Sequence, residues 1–201
     1  DPRLNKVNTG ISSDYNEKIY DQGHLTSDSD VKDKLYDQLN SYTFVNMSPQ
    51  HCFFNRGIWL NLEHLTRKLA YKNDEIFVTS GAIFDRDSSE GRDPDSSAHR
   101  MESRNGKSRV AVPSHFYKII LKRKGDQWSS LAFLLPHDNK DHGVSWKKAK
   151  PYALDNIASI ESIEAKATIT FFPDLQRKAI KQNGKDWDLS KAGNGMTGRC
   201  K

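Results

Sequence analysis

The sequence has little of what marks several common classes of protein. None of its apolar runs reaches the roughly 18 residues of a membrane-spanning helix. It contains two cysteines in 201 residues, Cys52 and Cys200, too few for a small disulfide-rich scaffold. These cysteines and the seven histidines show no zinc-ligand spacing. The two thiols can pair or stay free, so cysteine usage leaves the redox compartment open.

The chain also has few acids relative to bases outside its first segment. Residues 1–39 carry eight acids against five Lys and Arg, so the excess of base lies in the remainder of a chain with net charge +5. A basic surface attracts polyanions through counterion release. A solvated basic face is the plainer interpretation of charge alone. Residues 104–124 contain no acid and seven bases: Arg104, Lys107, Arg109, Lys118, Lys122, Arg123 and Lys124.

The pattern of apolar residues predicts an α+β fold with a central antiparallel sheet flanked by helices. Gly125-Asp126 is expected to turn a hairpin, and the polar residues 85–108 a long exposed loop. Residues 1–201 are expected to form a single domain, with 182–201 as a flexible tail. The expected strands are 42–45, 75–79, 110–123, 127–135 and 168–172, and the expected helices are 54–71 and 153–165.

Two groups of residues carry the chemistry. A lone histidine after a glycine is usually structural, but here a second group follows where a strand is expected to run into a helix. The first group is Asp21-Gln22-Gly23-His24-Leu25. The second comprises Asn46-Met47-Ser48-Pro49-Gln50, Phe54-Asn55-Arg56-Gly57, Trp59 and Glu63.

Together these groups resemble the motifs of the DNA/RNA non-specific endonuclease family, the ββα-metal or His-Me finger nucleases. The resemblance continues more weakly along the expected strands and covers most of residues 14–175. It implies a ββα-metal element near residues 20–70. It also implies a Mg²⁺-dependent, sequence-nonspecific endonuclease that hydrolyses DNA and RNA, with Mn²⁺ as a substitute ion.

The resemblance implies a role for each motif residue. His24 would be the general base, since an imidazole pKa suits water activation near neutral pH. Asn55 would hold the metal, because Mg²⁺ prefers oxygen ligands and keeps several waters. Asn46 would position the substrate or His24, and Arg67 would approach the scissile phosphate. The remaining site residues are Asp21 and Arg56 for substrate binding and Gln22 in the catalytic group.

Helix geometry predicts where Glu63 acts. Eight residues of α-helix separate Asn55 from Glu63 by about 12 Å along the axis and about 80° around it. Glu63 is therefore expected to hold a water of the ion rather than the ion itself. Arg67 follows four residues later, so the two are expected to pair. The plainer alternatives are a helix cap for Asn55 and an ordinary surface ion pair; Trp59 is expected in the core.

The chain departs from the family pattern in two ways. Gln22 stands where the family usually has an arginine, so the charge and the two-pronged hydrogen-bonding geometry are lost. Losing such a group reduces the rate by on the order of 10²-fold, unless Arg56 or Arg67 compensates. Only 20 residues precede Asp21. Three alternatives stay open: the chain lacks its amino-terminal strands, a separate amino-terminal segment completes the fold, or the chain is a reduced member of the family. An exposed sheet edge would then need covering, by that segment or by a homodimer partner.

Two other functions compete with the active enzyme. Residues 80–85 and 131–137 look similar to the nuclease-like domain of nucleotide pyrophosphatase/phosphodiesterases, which suggests a catalytically silent structural or binding module. A basic nucleic-acid-binding protein without chemistry would explain the charge but not the motifs. The presence of His24, Asn55 and Glu63 favours activity on DNA and RNA, with no membrane partner. Secretion is the preferred location, while periplasmic and mitochondrial locations stay open.

Overall fold

The computed structural model describes residues 12–88, 92–94, 98–102, 110–175, 180–182 and 186–200, with the backbone alone at 181, 182 and 199. Within these ranges, no helix combines the length and apolarity needed to cross a bilayer. The strands are β1 (Tyr20–His24), β2 (Met47–His51), β3 (Ile76–Ile83), β4 (His115–Lys124), β5 (Gln127–Pro136) and β6 (Ile180–Gln182). The α-helices are α1 (Leu35–Ser41), α2 (Leu60–Lys72), α3 (Trp146–Asp155) and α4 (Ile160–Ala167).

The described strands form a four-stranded sheet in the order β3-β4-β5-β6 and a two-stranded sheet of β1 and β2. β3, β4 and β5 are antiparallel, and β6 runs parallel to β5. The expected hairpin is confirmed: β4 and β5 pair from Lys124 with Gln127, and Gly125 adopts a φ of 58° that glycine tolerates well. The expected α+β fold is therefore confirmed.

Side chains on the two faces of β4 build two apolar clusters. Phe116 and Ile120 point to one cluster, which also contains the buried face of α2. Ile119 and Leu121 belong to the other cluster, with residues of α4. This alternation follows from the two-residue period of a strand, and it fixes α2 on one face of the sheet.

The long helix begins with a wider turn than a regular α-helix. Phe54–Trp59 forms a π-helical segment that continues into α2. The apolar stripe that the sequence predicts along this helix is confirmed, since its five members are each at most 1% exposed: Phe54, Ile58, Leu62, Leu65 and Leu69. Short π segments are frequent at functional sites. The α-helical offset expected between Asn55 and Glu63 therefore does not apply across this segment.

The strand expected at residues 42–45 is wrong. Phe44–Asn46 forms a short 3-10 helix instead, and β2 begins at Met47. Local side-chain bonds account for the difference, because the Thr43 hydroxyl donates to the Asn40 carbonyl at 2.8 Å and the Asn46 amide donates to the Ser41 carbonyl at 2.8 Å. Such bonds compete with strand pairing.

Two expectations beyond β5 are also wrong. Residues 153–165 are divided between α3 and α4 because the chain between them pairs with the edge of β5: Leu134 N–H donates to Asn156 and Ala158 N–H donates to Ala132. Ser159 then caps α4 by accepting from the Ser162 N–H. Residues 168–172 do not form a strand, and both ends of this range have positive φ angles.

The chain before β4 and the chain end also contribute to the interior. Half of the expected loop at 85–108 lies outside the described residues, but Asp85 and Met101 are fully buried rather than exposed. In the tail, Trp187 and Leu189 belong to the same apolar cluster as α2. A disulfide joins Cys200 to Cys52. The flexibility expected of residues 182–201 stays a prediction.

Candidate active site

The two motif groups meet in the β1–β2 pair. The side chain of Gln50 is fully buried and packs against Gly23. A Cβ atom on Gly23 would lie 2.2 Å from the Gln50 Oε1 atom, so a larger residue at position 23 would displace this side chain. The register pairs His24 with Met47 and Asp21 with Gln50. The first motif is thereby placed beside the chain that enters the π segment.

Asp21 connects the first motif to Asn55 and Arg56. Its carboxylate accepts from the Asn55 Nδ2 at 2.9 Å and from Arg56 Nε and Nη2 at 2.8 and 2.7 Å. An ionised carboxylate only accepts, so it selects the amide nitrogen of Asn55 as its partner. The side-chain amide oxygen of Asn55, Oδ1, accepts no hydrogen bond within the described part of the chain, and it is an oxygen ligand of the kind that Mg²⁺ prefers.

The backbone around His24 is held from two sides. The Trp59 indole N–H donates to the His24 carbonyl at 2.9 Å; Trp59 is 1% exposed, so its expected core position is confirmed. On the other side, the Leu25 N–H donates to the Asn46 carbonyl at 2.9 Å. The Asn46 side chain accepts from the Thr26 N–H at 2.9 Å and donates to the Thr26 carbonyl at 2.8 Å. Asn46 therefore orders the chain that leaves His24.

The ring of His24 is half-buried and lies edge-on to Tyr42, with 5.2 Å between the ring centroids. Burial lowers the pKa of His24, while the negative charge of Asp28 acts in the opposite direction. The Nε2 atom is buried and has no hydrogen-bond partner in the part of the chain that the structure describes. The lowered pKa favours the neutral imidazole, which is the form that a general base requires.

Glu63 and Arg67 do not pair as expected. Arg67 forms an ion pair with Asp30 at 2.7 Å, and its other terminal nitrogen contacts the His64 Nδ1 atom at 3.0 Å. Glu63 is 8% exposed, and the nearby Ser27 side chain lowers its pKa. Burial raises the pKa of Glu63, and the positive charge of Lys118 opposes this rise most strongly. The expected ion pair on the helix surface is absent from the described residues because α2 lies against β4 here, which buries the carboxylate of Glu63.

The structure places the remaining motif positions less centrally. Gln22 is exposed on β1 and lies opposite Pro49 in the register, and Arg56 is already paired with Asp21. Sequence reasoning missed Asp28 and Lys118. Both gave a signal: Asp28 begins an acidic pair four residues after His24, and Lys118 is a charged residue within an apolar strand.

A second group of oxygen ligands follows β3. The carboxylates of Asp85, Asp87 and Asp93 lie within 4.8 Å of one another. Asp85 is fully buried and already pairs with Lys166 at 2.7 Å, while both carboxylate oxygens of Asp93 accept from the Arg86 N–H at 3.0 Å. These partners already satisfy part of the group, so the motif residues remain the stronger candidate for a metal site.

This combination of fold and site defines the ββα-metal class. A model of the DNA/RNA non-specific endonuclease family matches residues 1–178, so the chain belongs to that family. Its fold is similar to that of endonuclease G in a solved complex with EndoGI, with a TM-score of 0.70 and 23% identity over 92% of this chain and 72% of that one.

Curated relatives include three kinds of nuclease. Human mitochondrial endonuclease G is 25% identical over 89% of this chain and 57% of its own length. Mitochondrial nuclease EXOG of Danio rerio is 27% identical over 90% of this chain and 50% of its own. Nuclease C1 of Cunninghamella echinulata is 28% identical over 87% of this chain and 66% of its own. The chain thus spans about half to two thirds of the relatives it matches.

Proposed function

We propose that this chain is a metal-dependent nuclease that hydrolyses phosphodiester bonds of DNA and RNA without sequence preference. The observation that carries the proposal is the environment of His24, a half-buried imidazole whose backbone is held by Trp59 and by Asn46. Membership of the endonuclease family supports the same reaction. In this proposal His24 removes a proton from the attacking water, which is general-base catalysis near neutral pH.

Asn55 is the residue proposed to hold the metal, with Mg²⁺ as the physiological ion and Mn²⁺ as a substitute. The amide nitrogen of the Asn55 side chain donates to Asp21, which leaves the amide oxygen of the same side chain available. Glu63 would accept hydrogen bonds from the water molecules that a Mg²⁺ ion retains. When bound, the ion would stabilise negative charge that develops on the phosphate and on the leaving oxygen.

The proposed substrate contacts come from the remaining motif residues. Arg67 would approach the scissile phosphate, which requires exchange of its ion pair with Asp30 for a phosphate. Asp21 and Arg56 would shape the substrate side of the site, and Gln22, exposed on β1, would contact substrate by hydrogen bonds alone.

Two observations bear on the location of the protein. The Cys52–Cys200 disulfide favours an oxidising compartment such as the extracellular space, and several relatives are named as mitochondrial.

Cleavage of plasmid DNA and of RNA by the wild type and by His24→Ala, each with Mg²⁺ and with EDTA, tests the proposal. His99→Ala is the matched control, since His99 is exposed and lies outside both motifs. We expect metal-dependent cleavage of both nucleic acids by the wild type and the control, and a loss of at least 10²-fold in His24→Ala. Equal rates for His24→Ala and the control would contradict the assignment of the base.

One observation favours a second candidate, a nuclease-like module that binds nucleic acid without cleaving it. Both arginines near the site are paired with carboxylates, Arg56 with Asp21 and Arg67 with Asp30, and Gln22 supplies no charge. Binding of DNA by the wild type with no cleavage in Mg²⁺ or Mn²⁺ would favour this candidate over the enzyme.

A further inference from the structure

A lysine occupies a core position beneath α2. Lys118 lies on the same face of β4 as Phe116 and Ile120, which are fully buried, and is itself 3% exposed. The strand pattern predicts an apolar side chain at this position. Removing an ammonium group from water is unfavourable unless opposite charge and hydrogen bonds compensate. A buried lysine here therefore requires partners, and those partners indicate what it does.

The contacts of Lys118 lead to the backbone of His24. Its Nζ atom donates to the Ser80 hydroxyl at 2.8 Å, on the residue directly opposite in β3. The same atom lies 4.4 Å from the centroid of the Trp59 ring, which is cation–π geometry. Trp59 in turn donates to the His24 carbonyl at 2.9 Å. The ammonium is thus packed against the side chain that anchors the proposed base.

The charge of Lys118 also acts on Glu63. Burial lowers the pKa of Lys118 to about 8, while Glu63 and Asp30 raise it. For Glu63 the largest influence is burial, which raises its pKa, and Asp30 acts in the same direction. Lys118 is the strongest influence that lowers this pKa, followed by Arg67 and Ser27. Within the described residues, Lys118 and Glu63 do not form a close ion pair, whereas Arg67 and Asp30 do. Glu63 is itself 8% exposed and lies about one helical turn beyond Trp59, the residue whose ring the ammonium contacts. The two opposite charges therefore share one buried region.

We propose that Lys118 is a positioning residue of the nuclease site, whose buried ammonium supplies the opposite charge that holds Glu63 in place to accept hydrogen bonds from the water around the metal. This inference rests on the proposed function. The other cation near Glu63, Arg67, already neutralises Asp30, so it cannot fully replace the missing charge. Lys118 acts through Glu63 and is not required to touch the substrate.

Lys118→Met removes the charge and preserves the length and apolar stem of the side chain. The matched control is Lys122→Met, because Lys122 lies on the same strand and its Nζ is also 4.4 Å from a tryptophan ring, that of Trp187. We expect kcat/KM to fall by about 10- to 100-fold in Lys118→Met, as for groups that support metal ligands, with the acid limb of its pH profile displaced to higher pH. The control should match the wild type, and Lys118→Arg should recover part of the activity.

A double-mutant cycle separates this role from a purely structural one. Mn²⁺ affinity, measured by electron paramagnetic resonance, is compared for the wild type, Lys118→Met, Glu63→Gln and the double variant. The loss caused by Lys118→Met should be much smaller in the Glu63→Gln background. The double variant also contains no unpaired buried carboxylate, so it provides a folded comparison if Lys118→Met alone unfolds; thermal unfolding checks each variant.

The outcomes distinguish this inference from the function on which it rests. The inference would be overturned if the wild type cleaves and Lys118→Met cleaves equally well. It would also be overturned if Lys118→Met causes the same loss of Mn²⁺ affinity in the wild-type and Glu63→Gln backgrounds. Either result would leave the nuclease proposal standing. Absence of cleavage by the wild type with Mg²⁺ and Mn²⁺ would overturn both.

Discussion

The carboxylate of Asp21 accepts a hydrogen bond from the amide nitrogen of Asn55 at 2.9 Å. This bond determines which end of the Asn55 amide is available to a cation, because the carboxylate has no proton to donate. A residue of the first motif therefore orients the proposed metal ligand of the second. The same carboxylate binds Arg56 through two nitrogens, which fixes its own position.

We expect Asp21→Asn to weaken Mg²⁺ binding. The asparagine can still accept a hydrogen bond, but it loses the charge that holds Arg56, and the Asn55 amide is no longer forced into one orientation. The Mg²⁺ concentration at half-maximal cleavage should rise by about 10- to 100-fold, with kcat at saturating Mg²⁺ changing less. Arg56→Met is the control for the lost ion pair and should have a smaller effect. An unchanged Mg²⁺ requirement in Asp21→Asn would contradict this role.

The pH profile of cleavage should report on His24. The base must be neutral, so activity is lost as the pH falls through the pKa of His24, which burial lowers below its ordinary value of about 6.5. Asp28 raises this pKa, so Asp28→Asn should move the acid limb of kcat/KM to lower pH. Tyr42→Phe removes only the hydrogen bond to Asp28 at 2.8 Å and should cause a smaller shift. A displacement to higher pH in Asp28→Asn would argue against His24 as the group observed.

The sequence was most informative where residues act locally or in order. The apolar stripe of the long helix, the turn at Gly125 and the order of the motifs predicted α2, the β4–β5 hairpin and the family. The ordered motif residues from Asp21 to Glu63 are also what allowed roles to be proposed for His24 and Asn55.

Contacts between distant segments were not predictable from the sequence. The carboxylate that pairs with Arg67 belongs to Asp30 rather than Glu63, because the 3-10 turn Asp28–Asp30 that follows β1 brings Asp30 next to α2. The division between α3 and α4 depends on pairing with the edge of β5. The proximity of Lys118 to Trp59 depends on how the sheet packs beneath α2. Each of these is a tertiary contact that local propensity does not encode.

Acid should destabilise the protein partly through His137. Burial lowers its pKa to about 3, although the contact of its Nδ1 with the Pro113 carbonyl at 2.9 Å acts in the opposite direction. Its Nε2 accepts from the His51 N–H at 2.8 Å, so protonation of this nitrogen would break a hydrogen bond. The unfolded chain binds this proton near pH 6.5. The contribution of His137 to stability is therefore fully present above pH 6.5 and is lost as the pH falls toward 3.

The free energy of unfolding, measured by urea denaturation from pH 7 to pH 4, tests this contribution. The loss due to His137 is at most about 1.4 kcal/mol per pH unit. His137→Gln should be less stable at pH 7 but should show a shallower decline, and His99→Gln should decline like the wild type. Parallel curves for His137→Gln and the wild type would show that His137 does not contribute to acid sensitivity.

The disulfide should connect stability to the metal site. Cys52 lies just before the π segment, and Cys200 follows a stretch in which the Met196 N–H donates to the Arg56 carbonyl at 2.6 Å. A Cβ atom on Gly195 would lie 2.4 Å from that carbonyl, so the tail packs directly on the backbone next to Asn55. Loss of the bridge should therefore loosen the segment that carries the proposed metal ligand.

We expect Cys200→Ser to lower the Tm and to raise the Mg²⁺ concentration at half-maximal cleavage. The bridged residues are 148 apart in the chain, for which the chain-entropy model gives a limit of about 5 kcal/mol. Thermal unfolding and Mg²⁺ titration with and without reductant measure both effects, and reductant should not further alter Cys200→Ser. If reduction lowers the Tm but leaves the Mg²⁺ requirement unchanged, the disulfide stabilises the fold without influencing the site. The tail contacts at Arg56 would then be sufficient to hold the π segment by themselves.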